Sequence, residues 1–120
     1  MADQMQTKSL DAPDERRTPE KTRVDLVHLG GVTLGRFTFQ PGWRWSECIK
    51  PVVGTESCQV HHVGVVTAGR LTVQVAGGQP VTVKAGDAYD IPPGHDAWVE
   101  GQEAFSAIEV QGAQQYAQSR

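Results

Sequence analysis

The sequence of 120 residues lacks any long apolar run. A bilayer span needs about 20 mainly apolar residues, whereas the hydrophobic 38% of this chain is scattered in short pieces. The N-terminus also lacks the basic region followed by an apolar stretch that marks a secretory signal. These absences predict a cytoplasmic protein with no membrane partner.

The sequence also has no excess of basic residues over acidic ones. Eleven Lys and Arg stand against 14 Asp and Glu, which gives a net charge of -3 at pH 7. A domain that binds nucleic acid normally carries a basic patch that neutralises phosphates. We therefore expect no nucleic-acid partner.

Only two cysteines are present, Cys48 and Cys58. In an oxidising compartment they would be able to pair, whereas a reducing compartment favours metal ligands or free thiols. The expected cytoplasmic location favours the second interpretation, and the redox role of either thiol stays open.

Residues 1–23 contain little to bury, since they hold ten charged side chains and only three large apolar ones. Such a segment does not offset the entropy lost when it becomes ordered. We therefore predict a flexible N-terminal tail over 1–23, one folded domain over 24–111, and a C-terminal tail over 112–120.

The pattern within the predicted domain is typical of short β-strands. Leu71, Val73 and Val75 alternate with polar residues, which is the period of a strand with one buried face. No window of twelve residues shows a helical stripe. About eight strands without helices must close on themselves or double over to protect their edges. The sequence predicts an all-β antiparallel barrel or jelly roll.

Two motifs resemble those of the cupins. GDAYDIPPGHDAW (86–98) resembles the second cupin motif, a glycine followed by five residues and then Pro-x-Gly. TESCQVHHVGVVTAG (55–69) resembles a divergent first motif. Together with PGWRW (41–45), these stretches are similar to small single-domain bacterial cupins of the conserved-barrel type. The resemblance implies a double-stranded β-helix that holds a divalent metal ion.

The resemblance also implies where the metal ligands lie. The first cupin motif supplies two histidines one residue apart, then Glu or Gln four positions later, and ends in a turn glycine. Counted back from Gly69, these positions hold Glu56, Cys58 and His62. All three depart from the family residues, yet each is able to bind a metal.

The alternation of a strand places these three residues together. Side chains at even positions share one face, and Val66 marks that face as the interior. We therefore predict that Glu56, Cys58 and His62 point inward and that His61 points outward. An unpaired buried carboxylate costs several kcal/mol, so an inward Glu56 would need a cation or a strong partner.

The second motif supplies the fourth predicted ligand. Its usual histidine position, three residues after the last glycine, holds Ala97, but His95 has the same parity and follows that glycine directly. We predict that His95 enters the same cavity. Asp96 beside it is either a partner that orients the ring of His95 or a plain surface acid.

The mixed donor set indicates the metal. Thiolate disfavours magnesium and calcium, and a thiolate, a carboxylate and two imidazoles in near-tetrahedral array favour Zn²⁺. Fe(II) and Ni(II) are the alternatives if the same ligands lie octahedrally with two waters.

The irregular stretch 40–57 contains Trp43 and Trp45 on one face. Their rings either plug the barrel or form the wall of a ligand pocket, and the two interpretations are compatible. We add Val60 and Trp98 to the predicted pocket lining.

Three functions remain open at this point. The chain is a metal-dependent enzyme that acts on a small organic molecule, a non-catalytic ligand-binding or sensing barrel with a closed metal site, or a storage or structural barrel whose site has decayed. An open coordination position on the metal separates the first function from the second. We also expect a homodimer, since cupins commonly pair through an edge of a sheet.

Overall fold

The computed structural model describes residues 4–118 as two antiparallel sheets with a few short helical turns. The first sheet has the strand order β1-β2-β3-β9-β4-β7, and the second has the order β6-β5-β8. The strands are β1 (Glu15–Arg17), β2 (Thr22–Leu29), β3 (Val32–Phe39), β4 (His62–Ala68), β5 (Arg70–Val75), β6 (Val81–Lys84), β7 (Ala88–Ile91), β8 (His95–Glu100) and β9 (Phe105–Gln111).

The helical segments are α1 (Trp45–Cys48), α2 (Lys50–Val53) and a 3₁₀ turn at Ala113–Gln115. The predicted all-β antiparallel architecture is confirmed, since none of these segments exceeds four residues. Within residues 4–118, no helix is long and apolar enough to cross a membrane.

The core lies between the two sheets because each strand turns its apolar residues to one face. Phe37 and Phe39 alternate along β3, and Val24 of β2 lies opposite Phe37 in the register. The second sheet contributes Leu71 and Val73 from β5 to the same buried cluster. Apolar alternation on both sheets thus produces one continuous interior.

The ordered sheet begins earlier than the predicted boundary at residue 24. Strand β1 pairs with β2, and Arg16 Nε lies 2.7 Å from a carboxylate oxygen of Asp25, whose side chain is fully buried. Arg23 and Arg36 also contact this carboxylate, each at 3.3 Å. A buried carboxylate needs cationic partners, so Asp25 ties part of the predicted tail to the sheet. Residues 1–3 lie outside the described residues.

The C-terminal boundary predicted at residue 111 is also wrong, because the next residues fill the core. The Tyr116 side chain is buried, with its ring centroid 4.8 Å from that of Phe37. Arg17 Nη1 donates to the carbonyls of Gln114 and Tyr116 at 2.7 and 2.6 Å. Residues 112–118 therefore belong to the domain, while residues 119–120 lie outside the described part of the chain.

Gly112 makes the turn that brings this segment back over the barrel. Its φ of 103° lies in the left-handed region, and a Cβ there would lie 2.6 Å from the carbonyl oxygen of His61. Only glycine meets both conditions without strain.

Replacing Tyr116 by Ala should lower the free energy of unfolding by about 3 kcal/mol, because a large buried ring would leave a cavity. Denaturant unfolding measures the change. The exposed Gln118→Ala is the control and should stay within about 0.5 kcal/mol of the parent. Equal unfolding free energies for the two variants would show that residues 112–118 do not contribute to the core and form a tail.

Candidate metal centre

Three of the four predicted metal ligands lie together in the interior. Donor atoms of Cys58, His62 and His95 lie within 4.8 Å of one another, and all three side chains are buried. His62 is the first residue of β4 in one sheet, and His95 is the first residue of β8 in the other. The site thus forms where one end of each sheet faces the other.

Cys58 is fixed although it lies outside the regular strands. Its amide donates to the carbonyl of His95 at 2.8 Å, and its own carbonyl accepts from the amide of Gly94 at 2.7 Å. The Cys58 carbonyl also accepts from the amide of His95 at 3.3 Å, and the reciprocal bonds between Cys58 and His95 form an isolated antiparallel bridge to the start of β8. The backbone of one predicted ligand therefore positions the backbone of another.

The prediction that Glu56 points inward as a metal ligand is wrong. Its side chain is 95% exposed and lies 3.0 Å from the ammonium of Lys50. Strand β4 begins only at His62, so the alternation assumed from residue 56 onward does not hold there. Exposure also removes the desolvation cost that an inward carboxylate would carry.

His61 faces outward, in contrast to His62. Its Nε2 lies 2.6 Å from a carboxylate oxygen of Asp90, and its ring is partly exposed. The strand register that separates the two histidines is therefore the one expected from the sequence.

A buried carboxylate that the sequence analysis missed orients His62. Oε1 of Glu109 lies 2.7 Å from Nδ1 of His62, and Oε2 accepts a 2.7 Å hydrogen bond from the Tyr89 hydroxyl. With Nδ1 donating to the carboxylate, Nε2 of His62 is turned toward the Sγ of Cys58 at 3.6 Å. Glu109 therefore sets which nitrogen of His62 faces the centre.

Gly64 provides the space that this arrangement needs. A Cβ at this position would lie 2.5 Å from the carbonyl oxygen of Ile108 and 2.9 Å from both Glu109 Cγ and the Tyr89 hydroxyl. Any larger residue would displace the carboxylate or the phenol. The glycine two residues after His62 is thus part of the support of the site.

His95 is oriented in the same way by a backbone acceptor. Its Nδ1 lies 2.7 Å from the carbonyl oxygen of Pro92, so Nδ1–H donates to that carbonyl and Nε2 is the nitrogen on the other side of the ring. Of the two interpretations of Asp96, the one in which it orients this ring does not hold. The Asp96 carboxylate instead accepts from the backbone amides of Ser46 and Ala97, at 3.2 and 2.8 Å.

The interior cavity beside the site is small, about 30 Å³. It is lined by His62, His95, Glu109 and a ring of aromatic side chains. A cavity of this size holds a water molecule or an ion, whereas pockets for drug-sized ligands span roughly 300–1,000 Å³. The space inside the barrel therefore suits only very small groups.

Trp43 and Trp45 combine the two functions that the sequence left open. Both residues are only 2% exposed to solvent, and both line the interior cavity. The ring of Trp43 stacks on Phe39 with centroids 3.9 Å apart, and its Nε1–H donates to Thr22 Oγ1 at 2.9 Å. They are core residues that also form the cavity wall.

Trp98 does not line the pocket, which corrects the prediction. It lies on β8 at the opposite parity to His95 and Ala97, and the Arg44 guanidinium lies 4.4 Å from its ring centroid on the outer side. Its Nε1–H donates to Glu100 at 3.0 Å. The ring serves the outer surface of the small sheet.

Val60 lines a second, larger pocket of about 240 Å³, here called the mouth pocket. This pocket lies between the helical segment and the C-terminal residues, and Cys58 is one of its lining residues. Its apolar part is formed by Trp45, Ile49, Val53, Val60, Tyr116 and Ala117.

The buried groups shift one another's protonation. Burial alone would raise the pKa of Cys58, but hydrogen bonds with His62 and His95 outweigh it and lower the pKa to about 6. Burial would lower the pKa of His62, yet hydrogen bonds with Cys58 and Glu109 raise it to about 9. Burial and the Glu109 carboxylate raise the pKa of Tyr89. A thiolate and an imidazolium are thus favoured together near neutral pH.

This pairing predicts a defined pH window in metal-free protein. Stability from the Cys58 thiolate should be lost as the pH falls through about 6, and stability from the His62 imidazolium should be lost as the pH rises through about 9. The ultraviolet absorbance of the thiolate, at about 240 nm, should accordingly disappear when the pH falls through the lower limit of this window. A Cys58→Ser variant should lack this loss of absorbance. If the variant still shows it, the signal comes from a group other than Cys58.

Comparison with known proteins adds the fold family. No protein-family model matches the chain, and no curated protein matches it. A protein of unknown function from Rhizobium leguminosarum bv. viciae superposes with a TM-score of 0.63 at 24% identity, covering 90% of this chain and 97% of that one.

Two further solved structures are described by their fold. A cupin 2 conserved barrel domain protein from Salinispora arenicola gives a TM-score of 0.62 at 18% identity, over 89% of this chain and 87% of that one. A Klebsiella pneumoniae protein with a double-stranded β-helix domain gives 0.57 at 19% identity, over 91% and 92%. The resemblance seen in the motifs is confirmed at the level of fold: the chain has the double-stranded β-helix fold of the cupins.

Proposed function

We propose that Cys58, His62 and His95 bind one divalent metal ion. The observation that carries the proposal is the hydrogen bonding of the two rings. Each Nδ1 is engaged by an acceptor, Glu109 for His62 and the Pro92 carbonyl for His95. Metal-binding histidines are normally held in this way, with the second nitrogen free for the ion. One ring nitrogen of each histidine and the Sγ of Cys58 lie within 4.8 Å of one another.

Zinc fits this donor set best. The loss of Glu56 from the predicted set removes the carboxylate and leaves one sulfur and two nitrogens, which makes the site softer. Thiolate and imidazole together are preferred by Zn²⁺. Fe(II) commonly uses two histidines and a carboxylate, and the one buried carboxylate beside His62 is already hydrogen-bonded to Nδ1 and to Tyr89. Fe(II) and Ni(II) are the alternatives to test.

Three protein ligands favour a site that is open to a small molecule. Structural zinc sites use four protein ligands, whereas catalytic sites use three and leave one position for water or substrate. The closed-site alternative required a fourth ligand, and Glu56 points into solvent. A bound ion would supply Lewis-acid chemistry or water activation, while Glu109 fixes His62 and the aromatic wall limits access of water.

We further propose that this centre acts on or binds a small organic molecule in the cytoplasm, a reducing compartment in which thiols such as Cys48 and Cys58 stay unpaired. The fold by itself does not select the reaction, because cupin-like barrels carry many chemistries.

The test is metal content and zinc affinity of purified protein. The parent should bind one equivalent of Zn²⁺, and His62→Ala or His95→Ala should lose binding, because two donors remain. Cys58→Ser should weaken binding or change the metal preference, since a hydroxyl replaces a soft thiolate. Glu109→Gln should weaken binding by about 10- to 100-fold through loss of ring orientation.

His61→Ala and Glu56→Gln are the matched controls, because both side chains lie outside the cluster. Both should bind zinc like the parent. Loss of zinc from His61→Ala with retention in His62→Ala would show that the strand register is wrong by one residue.

A further inference from the structure

We infer that small molecules reach the site through the mouth pocket, from the side of Cys58, and that this pocket selects neutral ligands over anionic ones. The inference rests on the proposed function for the identity of the bound metal. The route and the charge selection rest only on the shape and lining of the pocket, so they are tested separately.

The lining of the mouth pocket includes Cys58 but neither His62 nor His95. Of the three clustered residues, His62 and His95 line the interior cavity, whereas Cys58 lines the mouth pocket. Trp45 and Tyr116 line both spaces and form the wall between them. A molecule in the mouth pocket would therefore meet Cys58 before either histidine.

The lining of the mouth pocket carries no Asp, Glu, Lys, Arg or His among the described residues. Its polar residues are Thr55, Gln59, Gln115 and Gln118, all exposed, which form the rim. An anionic ligand would leave water without gaining an opposite charge from these residues, and it would approach the Cys58 thiolate, so its entry is disfavoured. A neutral ligand with an apolar body and one or two hydrogen-bonding groups matches an apolar floor and an amide rim.

A second route to the interior exists and has to be weighed. A side groove of about 270 Å³ lies between strands β6 and β7 and includes Val75, Val81 and Pro92. Tyr89 and Ile91 line both this groove and the interior cavity. Entry there would have to displace Tyr89, which donates to Glu109 at 2.7 Å.

That displacement would disturb the carboxylate that orients His62. The side groove also lacks Cys58 among its lining residues. Entry through the mouth pocket leaves the hydrogen bonds of Glu109 intact. The mouth route is therefore the one compatible with a formed site.

The experiment uses metal-free full-length protein with Cys48→Ser, so that Cys58 is the remaining thiol. A neutral and an anionic methanethiosulfonate of similar size are compared by the rate of mass gain, each rate divided by that of the same reagent with a small thiol in solution. The neutral reagent should modify Cys58 at least about tenfold faster than the anionic one on this scale, because the described lining offers an anion no countercharge and the Cys58 thiolate repels it. Equal normalised rates, or a faster anionic reagent, would overturn the charge selection.

Two matched substitutions test the route. Val53→Trp narrows the mouth pocket, and Val81→Trp, at a 61% exposed position, narrows the side groove. Val53→Trp should slow the neutral reagent about tenfold by steric blockage, and Val81→Trp should leave its rate unchanged. Slowing by Val81→Trp alone would place the entrance at the side groove and overturn the inference.

A fold check accompanies each variant, by near-UV circular dichroism. If Val53→Trp does not fold, Gln59→Trp at the exposed rim narrows the same opening and should give the same slowing. Failure of zinc binding with neutral-reagent selection intact would refute the metal proposal alone. Normal zinc binding without selection would refute the pocket inference alone.

Discussion

The hydrogen bond between Glu109 and Nδ1 of His62 is the interaction on which the site depends. Burying a carboxylate is costly unless its oxygens are well bonded. Here one oxygen accepts from His62 and the other from Tyr89, each at 2.7 Å. The chain also leaves out a side chain at Gly64 to make room for this group. The cost of a buried charge is thus offset locally, and the result is a histidine with one defined nitrogen facing the centre.

The rest of the barrel brings the other two donors to that nitrogen. β8 carries His95 in from the opposite sheet, and the backbone bridge between Cys58 and His95 holds the loop before β4 in place. Tyr116 closes the other side and lies with its ring centroid 5.3 Å from that of His62. The site is therefore built where the two sheets, one loop and the C-terminal segment meet, which explains why all of its donors are buried.

Alternation along strands made most of the fold and part of the site predictable from the sequence. It placed His62 and His95 inward and His61 outward, because these residues lie in or beside regular strands. It failed for Glu56, since residues 54–61 are not a strand and side chains there follow no fixed period. Cys58 is buried through its bridge to β8, which is a long-range contact that local alternation does not contain.

Two important residues were not predicted, Glu109 and Tyr116, and strand alternation would have found only the first. Glu109 follows Phe105 and Ala107 at the same parity in β9, so an inward acid was visible in the pattern of that strand. Tyr116 was not predictable in this way. It lies beyond the last strand, and its burial depends on the turn at Gly112 and on Arg17 binding nearby carbonyls.

The coordination shell of the zinc-loaded protein tests the central claim most directly. X-ray absorption at the zinc edge should show one sulfur at about 2.3 Å and two imidazole nitrogens at about 2.0–2.1 Å, with one further light atom. The sulfur should disappear in Cys58→Ser while the nitrogens stay. A shell of oxygen and nitrogen without sulfur, or a parent spectrum unchanged by Cys58→Ser, would contradict the proposed centre.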